Sequence, residues 1–356
     1  LHIEDGRMEL GEMEPLDKVP PADPPVPLDP DLAARWGWLD PNHDFRHLGL
    51  SHRFPVTAAL AAERWAGLGN PAVDGVLALD PFVVEAIMTA TGPVVTSAGE
   101  LSSDDVVRYA LHDQYQGYLT SGGDRSYTEE RRDALSEIAR EVVNAFEQVA
   151  EVDSGLLERL RTTANGRHVL MWSRHPQLQA AFEAARVDGQ IGPESMLLSI
   201  VNRSGVKLDW FVRSAATLTV EPGEDRHRVT VEVTVRNEAP ADGEPAYVVG
   251  PYPGTDLERG DYLGLVTLNL PRDAVDAAFD GVDRLAVAGA DGHNRTIAAW
   301  VEVPRGEAVT LVARFELPAG LDAVRIEPSA RAHPTEWTHD GRTWRDRAAR
   351  TVELTG

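Results

Sequence analysis

The chain has 356 residues, of which 57 are acidic and 34 are basic, so its formal net charge at pH 7 is −23. A surface that acidic repels nucleic acid and anionic lipid, because it offers no basic field to release their counterions. The sequence contains no cysteine, which excludes disulfides and cysteine-ligated metals, and none of its apolar runs approaches the roughly 20 residues of a membrane helix.

The N-terminal stretch is predicted to lie extended on the surface. Two short strand-like runs flank Asp5-Gly6, and because neither an initiator Met nor a signal peptide precedes them, we expect an N-terminal piece to be missing. Seven prolines follow between residues 15 and 30. Proline at this density excludes helix and sheet, so the segment is expected to be an extended connection within a domain.

Helices and short strands alternate from residue 55 to residue 187. Ser126 and Glu129 have capping-box spacing at the start of the longest helix, and its apolar residues form one stripe. A strand, a helix and a second strand between residues 73 and 96 predict a βαβ-like unit whose first strand is buried. The predicted helices are 55–68, 82–90, 126–150, 156–165 and 176–187, and the predicted strands are 73–80, 94–96 and 169–172.

After Met196 the apolar residues recur at every second position instead. Valines alternate with polar residues from 229 to 235, and the pattern returns from 309 to 317. A period of two residues is typical of strands with one buried face and one solvent-exposed face. Turn signals that contain proline and glycine separate these strands. A chain of this length also exceeds what one hydrophobic core usually organises. The predicted α+β architecture therefore has three parts: a mixed α/β domain over 1–195, an antiparallel β-sandwich over 196–330 and a C-terminal tail over 331–356.

Charged residues of the first half provide candidates for an anion or substrate site. Arg131 and Arg132 lie in the first turns of a predicted helix, where the macrodipole disfavours cations, so a carboxylate or a bound anion is expected beside them. Asp74 and Asp80 bracket a predicted strand, where acids bind metals or position substrates, unless Asp74 lies in a turn and Asp80 caps the next helix. The full candidate set is Arg46, Arg53, Arg125, Arg131, Arg132, Asp74 and Asp80.

A histidine-rich loop provides the weak metal candidates His43, Asp44, His47 and His52. Imidazoles and a carboxylate are suitable zinc ligands, but this spacing is not a metal signature, and a solvated polar loop is the alternative. If the loop faces the same cleft as Arg131, an anion site is expected there.

Two tyrosines of the second half are candidates for stacking on sugar rings. Tyr252 and Tyr262 lie in one region rich in glycine and proline. Aromatic side chains of this kind either face a ligand or fill the core. No nucleophile elbow, phosphate-binding loop, dinucleotide fingerprint or His-Glu-x-x-His motif is present in the sequence.

Several separate segments resemble the actinobacterial domain of unknown function 4012 family. They are DGVLALDP at 74–81, TGPV at 91–94, LSSDDVV at 101–107, NRSGVKLD at 202–209, NEAP at 237–240 and YVVGP at 247–251. The resemblance spans roughly residues 1 to 330. It implies an N-terminal membrane helix, in the piece expected to be missing, and an exported location.

The first half is also distantly similar to the LytR-CpsA-Psr proteins, which transfer lipid-linked glycopolymers onto the cell wall. This second resemblance implies a LytR-CpsA-Psr-like fold, with Arg131-Arg132 matching a helix that begins with arginine. The sequence departs from the pattern at 108–115, which lacks the arginine pair that grips the pyrophosphate, and the early strand that supplies an Arg and an Asp is absent. Phosphate transfer needs such cationic donors and usually a metal.

The resemblances lead to one main expectation and two alternatives. The main expectation is a membrane-anchored extracytoplasmic protein of the cell envelope that assembles or attaches surface polysaccharide. Its first domain would be a divergent phosphotransferase that uses Mg²⁺ and a lipid-linked glycan. The first alternative is a non-catalytic scaffold that binds glycan or protein. The second is a zinc hydrolase that uses the histidine-rich loop. None of them binds nucleic acid.

Overall fold

The computed structural model describes the chain except for residues 6, 17, 98, 122–124, 150–152 and 355–356 and the side chains of 125 and 126. Helices dominate the described residues of the first half, and strands dominate those of the second half from Ser195 onward. The helices are α1 (Pro30–Trp36), α2 (Phe54–Gly67), α3 (Pro81–Thr91), α4 (Ser103–Leu111), α5 (Tyr118–Ser121), α6 (Arg125–Glu147), α7 (Ser154–Asn165), α8 (Pro176–Ala184) and α9 (Ala246–Val249). The strands of the first half are β1 (His2–Glu4), β2 (Arg7–Glu9), β3 (Gly75–Leu79), β4 (Val94–Thr96), β5 (Gly99–Leu101) and β6 (Val169–Ser173).

The second half contains two six-stranded sheets. The first sheet has the order β12-β13-β10-β7-β15-β18, and the second has the order β11-β14-β9-β8-β16-β17. Their strands are β7 (Ser195–Asn202), β8 (Val212–Glu221), β9 (Arg226–Asn237), β10 (Tyr262–Leu270), β11 (Val275–Phe279), β12 (Val287–Asp291), β13 (Asn294–Val303), β14 (Ala308–Pro318), β15 (Ala323–Glu327), β16 (Glu336–His339), β17 (Arg342–Arg345) and β18 (Arg350–Glu353).

The largest hydrophobic core draws side chains from both six-stranded sheets. On β9 the valines from 229 to 235 are at most 2% exposed, and the polar residues between them face outward, which confirms the period-two prediction. Each fully buried valine contributes roughly 1.5–3 kcal/mol to stability. The same cluster includes Trp337 of β16, which is fully buried.

Two features of these sheets differ from the sequence prediction. The neighbours β7 and β15 are parallel, and so are β8 and β16, although the other strand pairs of both sheets are antiparallel. The stretch 331–356, which we separated as a tail, supplies β16 and β17 to the second sheet and β18 to the first. Its Trp337 and Trp344 rings stack with centroids 6.4 Å apart.

The predicted βαβ-like unit is not formed. β3 pairs antiparallel with β6, and β4 pairs antiparallel with β5, so the strands on either side of α3 belong to different sheets. The prediction that β3 is buried is also wrong, because Leu77 and Leu79 are 42% and 56% exposed. The run of apolar residues correctly predicted a strand. It could not show that the strand would belong to a two-stranded sheet with one face exposed to solvent.

Residues near the start of the chain pack against the first sheet. Leu32 and Trp36 of α1 join Leu265 and Val287 in one buried cluster. Beside it, Arg53 crosses above Gly292, whose backbone has φ of +65° and where a Cβ would come within 2.4 Å of the arginine Cδ. Only glycine suits that position, because it tolerates the left-handed backbone and leaves space for the arginine.

Candidate functional site

A cavity of about 360 Å³ opens on the outer face of the second sheet. Its charged lining carries a local excess of positive charge, although the chain as a whole has a net charge of −23. We call it the arginine cavity, and its charged and titratable lining residues are Arg213, Arg236, Arg345, Arg347, His333 and Glu336.

Strand register places these side chains close together. Arg213 on β8 lies opposite Arg236 on β9, and Arg345 on β17 lies opposite Glu336 on β16. The residues on either side of Arg213 and Arg236 are buried, so alternation along the strands turns both arginines outward. Like charges directly opposite each other destabilise an antiparallel pair. An anion bound between Arg213 and Arg236 would relieve this repulsion.

Carboxylates neutralise only part of the charge in the cavity. Arg213 Nε lies 3.3 Å from Glu238 Oε2. No described carboxylate lies within the 4.0 Å ion-pair distance of Arg236, Arg345 or Arg347. Guanidinium groups present a planar fork of donors that matches the oxygens of phosphate and carboxylate. The arrangement can therefore bind an anion by charge and by paired hydrogen bonds.

The carbonyl of Trp210 holds two of the lining side chains in place. It accepts hydrogen bonds from Arg213 Nη1 at 2.8 Å and from His333 Nε2 at 2.9 Å. Burial and the nearby positive charges of Arg213 and Arg331 lower the pKa of His333. His333 is therefore neutral at pH 7 and acts by shape and hydrogen bonding, while the arginines supply the charge.

Asp346, between two arginines of the cavity in sequence, is buried and accepts hydrogen bonds from the Ser329 amide and hydroxyl at 3.1 and 2.9 Å. Burial raises its pKa to about 6, although those hydrogen bonds oppose the rise. Its contribution to stability is thus complete below the ordinary pKa of 3.8 and is lost as the pH rises through 6. Asp346→Asn is expected to increase the free energy of unfolding by about 3 kcal/mol at pH 8 and to change it little at pH 4. Urea unfolding at both pH values checks this, and an equal change in the free energy of unfolding at pH 4 and pH 8, or no increase at pH 8, would contradict it.

Arg131 of α6 does not line the arginine cavity and has no described carboxylate within ion-pair distance. Arg131 Nη1 donates to Gln114 Oε1 at 2.7 Å, and its guanidinium lies 5.3 Å from the Tyr115 ring centroid. Its partners are therefore a neutral amide and an aromatic ring. Arg132 follows in the same helix. The side chain of Arg125 and the capping role of Ser126 lie outside the described residues.

The two acids beside β3 have structural partners. Asp80 Oδ1 accepts from the Phe82 amide at 2.9 Å at the start of α3, which confirms the capping interpretation, and His168 Nδ1 lies 2.6 Å from its other oxygen. Asp74 is largely exposed, and its Oδ1 lies 3.0 Å from His175 Nε2. Neither acid lies within a described group of potential metal ligands.

The arginines of the histidine-rich region pair locally instead of converging with Arg131. Arg46 binds Asp44, whose pKa that arginine lowers to about 2. Arg53 pairs with Asp29 at 2.6 Å and with Asp291 at 2.7 Å.

The histidines of the same region are also dispersed. His43 Nδ1 lies 3.2 Å from Asp40, His47 Nδ1 is buried without a hydrogen-bond partner, and His52 is buried beside Asp291. The described residues contain no group of three or more His, Asp or Glu that could hold a metal ion. His43, Asp44, His47 and His52, the candidate metal ligands, therefore do not come together as a metal site among the described side chains.

The two tyrosines that were candidates for stacking on sugar rings differ in exposure. Tyr262 is fully buried in the core, where its hydroxyl lies 3.4 Å from Asp209 and burial raises its pKa, so it cannot present a ring face to a ligand. Tyr252 is 51% exposed and packs over Gly205. Only Tyr252 of the pair keeps the exposure that the prediction requires.

A second titratable cluster fastens the first half to the second. His112 Nδ1 lies 2.7 Å from Asp113, and its Nε2 lies 2.9 Å from Glu244, which also accepts a hydrogen bond from Gln116. Burial opposes charge on this imidazole, but the two carboxylates outweigh it and raise the pKa of His112. Because both ring nitrogens of His112 already have carboxylate partners, the cluster connects the two halves and does not offer a free acid or base.

Sequence reasoning missed the arginine cavity. Arg213 and Arg236 come from the consecutive strands β8 and β9, but Arg345 ends β17 and Arg347 follows it, far later in the chain. The only local sign of the cavity in the sequence was an arginine at a solvent-facing position of a strand in which apolar and polar residues alternate strictly, as at Arg236.

Comparisons with known proteins add one match. No curated protein and no solved structure matches the chain. No helix in the described part of the chain has the length and apolar character needed to span a membrane. Residues 1–115 match the model of a family described as protein of unknown function (DUF4012), so the first third of the chain is similar to that family. This match is shorter than the resemblance over residues 1 to 330 that the sequence indicated.

Proposed function

We propose that the protein binds an anionic ligand, one that bears phosphate or carboxylate groups, in the arginine cavity. The observation that carries the proposal is the group of three arginines with no described carboxylate within ion-pair distance, Arg236, Arg345 and Arg347, in a chain with 57 acidic residues. With so many carboxylates available, unpaired arginines around one cavity favour a ligand that is not part of the chain.

The ligand class that agrees with the sequence resemblance is an anionic glycan. We interpret the two six-stranded sheets, which share one core, as the layers of a β-sandwich whose outer face binds this ligand. Attachment to a membrane, an extracytoplasmic location and a role in surface polysaccharide assembly are part of the same proposal and rest on the resemblance alone. The site geometry favours the binding scaffold over the phosphotransferase, because the arginines gather on the second sheet and Arg131 contacts a glutamine and a tyrosine.

Single arginine substitutions test the proposal. We expect Arg236→Ala and Arg345→Ala each to weaken binding of inorganic pyrophosphate by about 10- to 100-fold, because each removes a charge-assisted interaction of roughly 1.5–3 kcal/mol. Calorimetric titration at low ionic strength measures this, and added salt should weaken the wild-type affinity.

Arg228→Ala is the matched control. Arg228 is exposed on the same face of β9 but lies eight residues from Arg236, which is roughly 26 Å along a strand. Its loss removes the same charge from the protein without touching the cavity, so pyrophosphate affinity should stay unchanged. Equal weakening by all three substitutions, or no saturable binding by the wild type, would refute the proposal.

A further inference from the structure

A second cavity lies beside the first, where the two halves of the chain meet. Its volume is about 370 Å³, and we call it the junction cleft. The lining residues that matter here are Phe82 and Tyr115 from the first half and Lys207, Asp209, Trp210 and Arg331 from the second. Clefts between domains are a common place for ligand sites, with apolar walls and a few polar groups that fix orientation.

The junction cleft and the arginine cavity lie on two sides of one short segment. Ala332 lines both cavities, Arg331 lines the cleft and His333 lines the arginine cavity. Trp210 links them as well, since it lines the cleft while its carbonyl holds Arg213 and His333. A ligand long enough to cross residues 331–333 can therefore occupy both cavities.

The cleft adds two cations, Lys207 and Arg331, to those of the arginine cavity, and its two lining carboxylates, Asp80 and Asp209, already contact His168 and Asn202. Lys207 is exposed and has no described carboxylate within ion-pair distance. Arg331 donates from Nη1 to the Ile200 carbonyl, but its buried Nε has no hydrogen-bond partner. A buried hydrogen-bond donor without an acceptor destabilises the fold unless a ligand or a water molecule accepts its hydrogen bond. Together with the four arginines, these two cations form a track along which a linear polyanion would lie.

The walls of the cleft favour a ligand that contains rings. The Phe82 ring is fixed against His168, with centroids 4.4 Å apart, and Tyr115 is fixed by Arg131. Trp210 lies between two histidine rings, at 5.8 Å from His112 and 5.0 Å from His333. Because these rings are already fixed in the free protein, they can contact an apolar ligand at a small cost in side-chain entropy. Asp209, Lys207 and Arg331 lie among them as partners for hydroxyl and acidic groups.

We infer that the ligand is a linear acidic oligosaccharide that crosses residues 331–333, with an acidic group in the arginine cavity and a sugar ring in the junction cleft. The inference rests on the proposed function. A sugar ring has an apolar face for Phe82 and Tyr115 and a rim of hydroxyls for the charged groups. An acidic peptide would match the charges but has no regular rings for the apolar walls.

The test compares galacturonate oligomers of one, three and six residues by calorimetric titration. We expect the hexamer to bind at least about tenfold more tightly than the monomer, because its rings reach the second cavity. Phe82→Ala and Lys207→Ala should each remove most of that gain and leave pyrophosphate affinity within about twofold of the wild type. Lys18→Ala, which removes the other lysine of the chain at another exposed position, should change neither.

The outcomes separate this inference from the proposed function. If the wild type does not bind pyrophosphate, the arginine cavity itself is not an anion site. If pyrophosphate binds but monomer and hexamer bind equally, the ligand does not cross into the cleft and the inference is wrong. If hexaglutamate binds as tightly as the galacturonate hexamer, and Lys207→Ala weakens both affinities equally, the ligand is an acidic peptide and not an oligosaccharide. Because Lys207 is exposed, its substitution keeps the test valid even if Phe82→Ala disturbs α3.

Discussion

Replacement of Arg53 by Ala is expected to lower the free energy of unfolding by about 3–5 kcal/mol, because it leaves a buried carboxylate without its cation. The Asp291 side chain is completely buried and lies 2.7 Å from Arg53 Nε. Its other hydrogen-bonding neighbour is the Trp36 indole at a long 3.4 Å. Arg53 also holds Asp29, which caps α1 through the amides of Asp31 and Leu32. The substitution thus affects both a buried charge and the docking of α1 on the first sheet.

Urea unfolding measures this loss, and Arg314→Ala provides the comparison. Arg314 pairs with Asp280 on the surface, where both side chains are about half exposed, so its removal should cost less than about 1 kcal/mol. Hydrogen exchange in α1 should accelerate in Arg53→Ala and stay unchanged in Arg314→Ala. A loss below 1 kcal/mol in Arg53→Ala would show that water or a neighbouring donor compensates Asp291.

Elements with strong local patterns could be predicted from the sequence. The helix predicted at 55–68 is observed at Phe54–Gly67, and the alternating valines form β9 with the expected face buried. Pro81 and Gly92 mark the two ends of α3 as their conformational preferences require. α4 was not predicted, since its short sequence has only one buried residue, Val106, to mark an apolar face.

Strand partners could not be predicted in the same way. β3 and β6 are separated by about 90 residues, and neither sequence specifies the other, so a βαβ-like unit was the simpler prediction from local order. The arginine cavity depends on a comparable distant pairing. β8 and β16 lie side by side in parallel, although some 120 residues separate them in the chain. Only this pairing brings Arg345 close to Arg213, and the stretch that supplies Arg345 had been predicted as a tail.

Acidification from pH 7 to pH 4 is expected to remove about 3 kcal/mol of stability through His52 alone. Burial lowers the pKa of His52 to about 4; Asp291 opposes this shift, while the positive charges of Arg167 and Arg53 add to it. The folded protein therefore keeps this imidazole neutral at a pH where the unfolded chain, with a pKa near 6.5, already binds a proton. The stability is complete above pH 6.5 and is lost as the pH falls towards 4.

The contribution of His52 must be separated from that of Asp346, which titrates in an overlapping range with the opposite sign. Protonation of Asp346, with its pKa of about 6, favours the folded state as the pH falls, so the wild-type curve shows only the difference between the two groups. Asp346→Asn removes the opposing contribution and should make the loss of stability on acidification steeper. His52→Gln in that background should flatten the curve between pH 6.5 and pH 4, whatever its effect at pH 7. Urea unfolding across this range provides the measurement, and parallel curves for the Asp346→Asn protein with and without His52→Gln would mean that His52 titrates normally.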